Sequence, residues 1–167
     1  VWSFITAIPE EDPNLVPELI CHWRLDETAG IYAMDSSGRK YHGWATGIEW
    51  TEGNICGAAE FYGPDEIQIP GAAFGPLDKE ISIAFWQNGA FDAPPVFNSI
   101  IAAEGIVLNI HLPYVDTVYW DCAGSRVFKV ASGSDYGGQW NHWVFTRNGL
   151  TGEQNIYLNG QIWRQTY

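Results

Sequence analysis

Short runs in which apolar and polar residues alternate, each closed by Gly, Pro, Asn or Asp, follow one another along most of this chain, and helical periodicity is nearly absent. A period of two places every second side chain on one face of an extended strand, so the pattern predicts half-buried β-strands joined by tight turns. Residues 20–25 put Cys21, Trp23 and Leu25 on a shared face. Residues 58–62 and 66–69 flank a turn at Gly63, Pro64 and Asp65. Residues 81–87 set Ile81, Ile83 and Phe85 against Ser82, Ala84 and Trp86. Residues 106–112 alternate Ile106, Leu108, Ile110 and Leu112 with Val107, Asn109 and His111, and the pattern continues through 117–122, 126–131 and 142–147.

The sharpest local signal lies near the end, where residues 155–158 and 161–164 flank Asn159 and Gly160. Asn-Gly accepts the positive φ angles of a type I′ turn, whose twist matches the strands on either side, so a hairpin is expected there. About nine such strands, with turns every 8–12 residues, predict an all-β sandwich or jelly roll of two antiparallel sheets. Residues 1–18 differ from the rest. One strand-like run, 1–6, precedes an acidic stretch broken by Pro9, Pro13 and Pro17, which reads as the tail of a preceding module followed by a linker.

Charge and composition narrow the function classes. A formal net charge of -12 is the wrong sign for phosphate backbones and for anionic membrane surfaces. No apolar run approaches the ~20 residues that span a bilayer, and the first residues lack the charged and apolar parts of a signal peptide. Aromatic residues reach 15%, with nine Trp, which suits both the interior between two sheets and a face that stacks on sugars. Cys21, Cys56 and Cys122 lie too far apart for the paired spacing of a zinc site, and buried thiols are the plain reading.

Several short motifs resemble, in the same order, bacterial laminin-G-like domains of the concanavalin A-like superfamily. Trp23, Leu25, Asp26, Glu27 and Gly30 resemble their opening strand and turn. Asp35, Ser36, Ser37 and Gly38 resemble the loop that follows, and His42 with Gly43 the next short step. Residues 57–63, 66–70, 81–86, 140–145 and 156–160 match later strands, so the resemblance covers about residues 19–165. It implies a two-sheet antiparallel jelly-roll sandwich over residues 19–167, in an extracellular or cell-surface protein with covalently linked neighbouring modules. Members usually carry a further strand or two after the Asn159-Gly160 hairpin, the last of them beside the first strand; this sequence stops at Tyr167, so either it is a fragment lacking those last strands or the neighbour of its first strand comes from elsewhere.

The resemblance also implies a non-catalytic recognition module, lectin-like, for a glycan or another extracellular ligand. An adhesion spacer without a small ligand is the alternative. A glycoside hydrolase or polysaccharide lyase of the same fold is a third reading. Hydrolases of this fold carry three carboxylates on one strand, aimed alternately into a cleft. Here Glu10, Glu11 and Asp12 fall in the expected linker, and Asp26 and Glu27 are adjacent, so they point to opposite faces. Asn109 and His111 with Tyr119 resemble part of a lyase site, but its arginine-rich companion strand is missing. No Gly-x-Ser-x-Gly elbow and no glycine-rich phosphate loop before a helix occurs.

Strand parity assigns Trp86, Asn109, His111, Tyr119 and Asp121 to the side opposite Ile83, Phe85, Leu108, Ile110, Val118 and Trp120. An aromatic plate flanked by amides and carboxylates is what sugar C–H faces and hydroxyls require, so these five are the expected ligand-binding set. Trp44, Trp50, Tyr114, Tyr136 and Trp140 are aromatic alternatives on loops, and Trp140 and Trp143 are expected in the core. Asp26, Asp35 and Asp65 sit at or beside glycine turns, where backbone carbonyls are at hand, and the related domains often hold a structural Ca²⁺ there. The plainer reading is that Asp35 and Asp65 brace their own turns.

Overall fold

The computed structural model describes residues 2–3, 19–75, 79–89, 101–103 and 108–166. Expectations for residues 4–18, 106 and 107 fall outside that set. The described chain is mostly β-strand, in several antiparallel sheets, with one 3₁₀ turn at Gly71–Phe74 and one α-helical turn, α1, at Gly133–Tyr136. It divides into two compact units, Val1–Leu77 and Asp78–Tyr167.

In the first unit, β4 (Glu49–Glu52) and β5 (Gly57–Glu60) form a hairpin, and β1 (Trp2–Ser3) pairs on the other side of β5 with Trp2 opposite Ala59. A three-stranded sheet orders β2 (Tyr32–Ala33), β3 (Gly43–Thr46) and β6 (Glu66–Gln68). Leu25, Ala33 and Ala59 are buried at its core, with Trp23, Ile48, Trp50, Phe61 and Ile67 packed against them. Gly57 is required by a close approach. A Cβ there would stand 2.6 Å from the Asp26 Cα, so the chain at 25–26 can cross the start of β5 only over a glycine.

The segment 20–25 departs from its expected ladder strand. Its pairing is limited to an isolated bridge, Trp23 to Asp35. Leu25 takes a φ of 56°, which ends any extended run, and the His22 N–H is satisfied by the Asp35 carboxylate instead of a neighbouring strand. Leu25 is buried as its parity requires, while Cys21 and Trp23 are half-buried.

The second unit is a β-sandwich. One sheet orders β7 (Glu80–Gln87), β12 (Asn141–Asn148), β13 (Gln154–Leu158) and β14 (Gln161–Thr166). The other orders β8 (Ile101–Ala103), β9 (Leu108–Tyr114), β10 (Thr117–Cys122) and β11 (Ser125–Val130). The sheets meet through Phe85, Trp143, Phe145 and Ile156 on one side and Leu108, Ile110, Val118, Trp120 and Val127 on the other, all buried. Trp120 rests on Phe145 with ring centroids 5.9 Å apart. Its indole N–H donates to the Thr146 carbonyl at 3.0 Å, and its own carbonyl accepts from Gln154 Nε2 at 2.8 Å. These two polar groups caught between the layers are thus paired across them.

The strands expected at 81–87, 117–122, 126–131 and 142–147 form within a residue or two of those limits, and the terminal hairpin forms as expected. Asn159 and Gly160 take φ of 50° and 79°, both in the left-handed region that a type I′ turn needs. Trp143 is fully buried, and Trp140, just before β12, is half-buried. No helix among the described residues is long and apolar enough to cross a membrane.

Candidate functional site

Because Leu108, Ile110, Val118, Trp120 and Val127 turn into the core, their alternates on β9, β10 and β11 turn outward. Cross-strand register then gathers them. Asp121 lies between Asn109 and Arg126, and Tyr119 between His111 and Phe128. A register shift between Thr117 and Tyr119 brings Tyr114 opposite Thr117 and into the same row. Its ring stands 5.1 Å from His111 and 6.3 Å from Tyr119, both edge-on. Tyr119 is 6.0 Å from His111, edge-on, and stacks on Phe128 at 5.8 Å. Phe128 is 50% exposed, so this row ends in an open aromatic face.

A charged fork borders the row. Arg126 donates from Nε and Nη2 to the two carboxylate oxygens of Asp121, at 2.5 and 2.7 Å, and its Cζ lies 5.0 Å above the Tyr119 ring. The hydrogen bond to Asp121 raises the Arg126 pKa above its ordinary value, against partial burial, and the Asp121 and Tyr119 charges act in the same upward direction. The guanidinium therefore stays charged and planar at all relevant pH. Next to it, Asn109 keeps its side-chain oxygen buried without a hydrogen-bond partner. Such a face offers stacking surface, a fixed donor-acceptor fork and an acceptor in need of a donor.

Four of the five expected binding residues, Asn109, His111, Tyr119 and Asp121, are brought together here. Trp86 is not with them. It does point outward, but from β7, opposite His142 with ring centroids 5.0 Å apart, on the outer face of the other sheet. Parity alone sorts inward from outward and is blind to which sheet a strand joins. Of the loop aromatics, Tyr114 joins the row. Tyr136 is buried as the last residue of α1, Trp44 pairs edge-on with Tyr32 at 5.3 Å, and the Trp50 indole donates to the Gly30 carbonyl.

Arg126 and Phe128 were not in the expected set, yet a signal for them is present. Ala123 and Gly124 form a two-residue turn with φ of 50° and 77°. Placing a hairpin on that turn fixes Asp121 opposite Arg126 and Tyr119 opposite Phe128.

The three aspartates expected at a cation are dispersed among separate roles. Asp35 is only 7% exposed, and both its oxygens are occupied. Oδ1 accepts from the His22 and Ser37 amides, and Oδ2 from the Tyr41 amide and the Ser37 hydroxyl, each at 2.9 Å. Burial by itself would raise its pKa, but these bonds outweigh it and hold the carboxyl below its ordinary value. Asp65 accepts the Tyr62 amide at 2.6 Å across its own turn, and Asp26 pairs with Arg24 at 2.8 Å. Among the described residues no three His, Cys, Asp or Glu side chains gather as a metal group.

All three cysteines are unbridged thiols, with Cys122 buried, Cys21 half-buried and Cys56 exposed at the β4–β5 turn, so the expectation of burial fails at Cys56. Compared with protein-family models, curated proteins and solved structures, the chain matches none.

Proposed function

We propose that this chain is a non-catalytic recognition module that binds carbohydrate outside the cell, on a concanavalin A-like jelly roll. The observation that carries the reading is the open row His111, Tyr114, Tyr119 and Phe128, bordered by the Arg126–Asp121 fork. Four rings held edge-to-face or stacked present a rigid apolar strip, which suits the C–H faces of pyranose rings. The fork and the Asn109 oxygen supply directional partners for hydroxyls, which both donate and accept. The acidic net charge favours neutral or cationic glycans over polyanions.

A glycan array followed by calorimetry, with and without Ca²⁺, tests the reading. Binding that Tyr119→Ala abolishes, with the thermal melt retained, is the expected result. Silence across plant, algal and bacterial polysaccharides overturns it. A second reading, an adhesion module that docks protein, is favoured by Phe128 and Val130, which are 50% and 63% exposed on the same face. Array silence together with loss of cell-surface adhesion in Phe128→Ser would select that alternative.

A further inference from the structure

The outer face of the β7–β12–β13–β14 sheet carries a feature of different chemistry. Alternation turns Glu80, Ser82 and Trp86 outward on β7, and Thr146 and Asn148 on β12. Asn155 and Tyr157 on β13 face the same way, opposite Thr146 and Val144. Between them lies an open groove of about 210 Å³, lined by Glu80, Ser82, Thr146, Glu153, Asn155 and Tyr157.

Asn155 is the unusual member. It is only 3% exposed, and its Nδ2 donates to Glu153 Oε1 at 2.7 Å and to the Tyr157 hydroxyl at 3.2 Å. Those two bonds fix which way the amide points, and they leave Oδ1 buried without a partner. Native proteins keep few such orphaned acceptors, because each has given up water without a replacement. The surrounding wall is braced. Glu80 accepts from Asn148 Nδ2 at 2.5 Å, and Asn148 Oδ1 accepts the Leu150 and Thr151 amides, both at 2.9 Å. Arg147, also at the wall, donates to the Gly152 carbonyl at 2.6 Å.

We infer that this groove is a subsite for one neutral, polyhydroxylated ring the size of a pyranose, with Asn155 Oδ1 accepting a ligand hydroxyl. The inference rests on the carbohydrate reading and extends it to a second face. Size supports it, since the groove far exceeds the ~30 Å³ share of one water and falls below the ~300 Å³ at which drug-sized pockets begin. Chemistry supports it too. Two carboxylates and an orphaned carbonyl accept, while Ser82, Thr146 and Tyr157 hydroxyls do either, which is the complement of a ring bearing several hydroxyls. Glu80 and Glu153 repel acidic sugars.

Titration of the ¹⁵N-labelled chain with methyl glycosides of glucose, galactose and mannose, and separately with CaCl₂, is the test. The expected result is a shift of the Asn155 side-chain amide and of the Thr146 and Tyr157 backbone amides on adding a glycoside. Ser82→Ala, at an exposed position, and Tyr157→Phe each weaken that response about fivefold, and Tyr119→Ala leaves it intact. Shifts confined to the Tyr119 face overturn the groove and leave the carbohydrate reading standing. Shifts nowhere with any glycoside overturn the groove, while the glycan array decides the carbohydrate reading separately. Groove shifts produced by CaCl₂ alone, or glycoside shifts unchanged in both groove variants, overturn the inference as well.

Discussion

Arg126 grips both oxygens of Asp121 while lying 5.0 Å over the ring of Tyr119, so one side chain ties two neighbouring rows of the β9–β11 face together. Neither partner alone orients the aromatic row, because the guanidinium must be planar to stack and forked to bind bidentately. Arg126→Lys retains the charge and loses both properties. Since Arg126 is largely exposed, the expected cost in stability is below about 1 kcal/mol. Glycan affinity, measured by calorimetry, is expected to fall about tenfold, in line with the greater strength of forked charge-assisted bonds. Equal affinity in the two proteins would remove the fork from the site.

Acid stability follows from Asp35 and His22. The Asp35 pKa is lowered in the fold, so its contribution is complete above the unfolded value of ~3.9 and is lost as pH falls through the folded value. Burial lowers the His22 pKa, with Arg24 acting in the same direction, against the weaker upward pull of Asp35 and Asp26. Its folded state prefers the neutral ring, and stability drops as pH falls below the unfolded value of ~6.5. Urea midpoints are therefore expected to decline in two stages, the first below neutrality and the second below pH ~4. His22→Gln is expected to flatten the first stage alone. Asp35→Ala removes four hydrogen bonds to one carboxylate and is expected to cost about 2 kcal/mol or more.

Two tryptophans on adjacent strands test the assignment of inward and outward faces. Trp143 is fully buried between Phe145 and Trp163, with centroids at 6.1 and 5.3 Å. Trp143→Ala is expected to destabilise by about 3–5 kcal/mol. Trp86, half-buried on the outer face beside His142, should cost clearly less, about 2 kcal/mol or below. Equal losses in denaturant unfolding would show that Trp86 is a core residue.

Thiol chemistry should separate the cysteines. Cys21 is pushed up to about 12 by burial and by the Asp35 charge, against Arg39, and burial likewise raises Cys122. Thiolate, not thiol, is the nucleophile. Native alkylation by iodoacetamide is expected at exposed Cys56 first, with Cys21 and Cys122 reacting on unfolding. Mass spectrometry showing Cys21 modified as fast as Cys56 would contradict this burial.

Where a turn announces itself, as at Asn159 and Gly160, the pairing beside it follows directly, Leu158 with Gln161 and Tyr157 with Ile162, whereas the shift between Ile156 and Tyr157 that sets Ile156 opposite Arg164 has no such signal. Ala123 and Gly124 carry equal information in the structure, but Ala is a weak turn signal, so the sequence pattern does not place Arg126 and Phe128 beside Asp121 and Tyr119. Residues 20–25 looked like a strand because their alternation is good. Alternation reports which side is apolar, and it does not supply a partner for the backbone.

Period-two patterning by itself determined that the chain is all-β, which side of most strands faces inward, and where its last hairpin turns. Only the tertiary structure decided which outward faces belong together, placing Tyr119 and Phe128 in one aromatic row and Trp86 on the opposite sheet. Likewise, it alone consumed the Asp35 carboxylate in four local hydrogen bonds and left the Asn155 oxygen without one. The reason is physical. Facing in or out is a local property of a strand, set by its own hydrophobic period, whereas neighbours across sheets and the final partner of each polar atom are fixed by contacts between residues far apart in the chain.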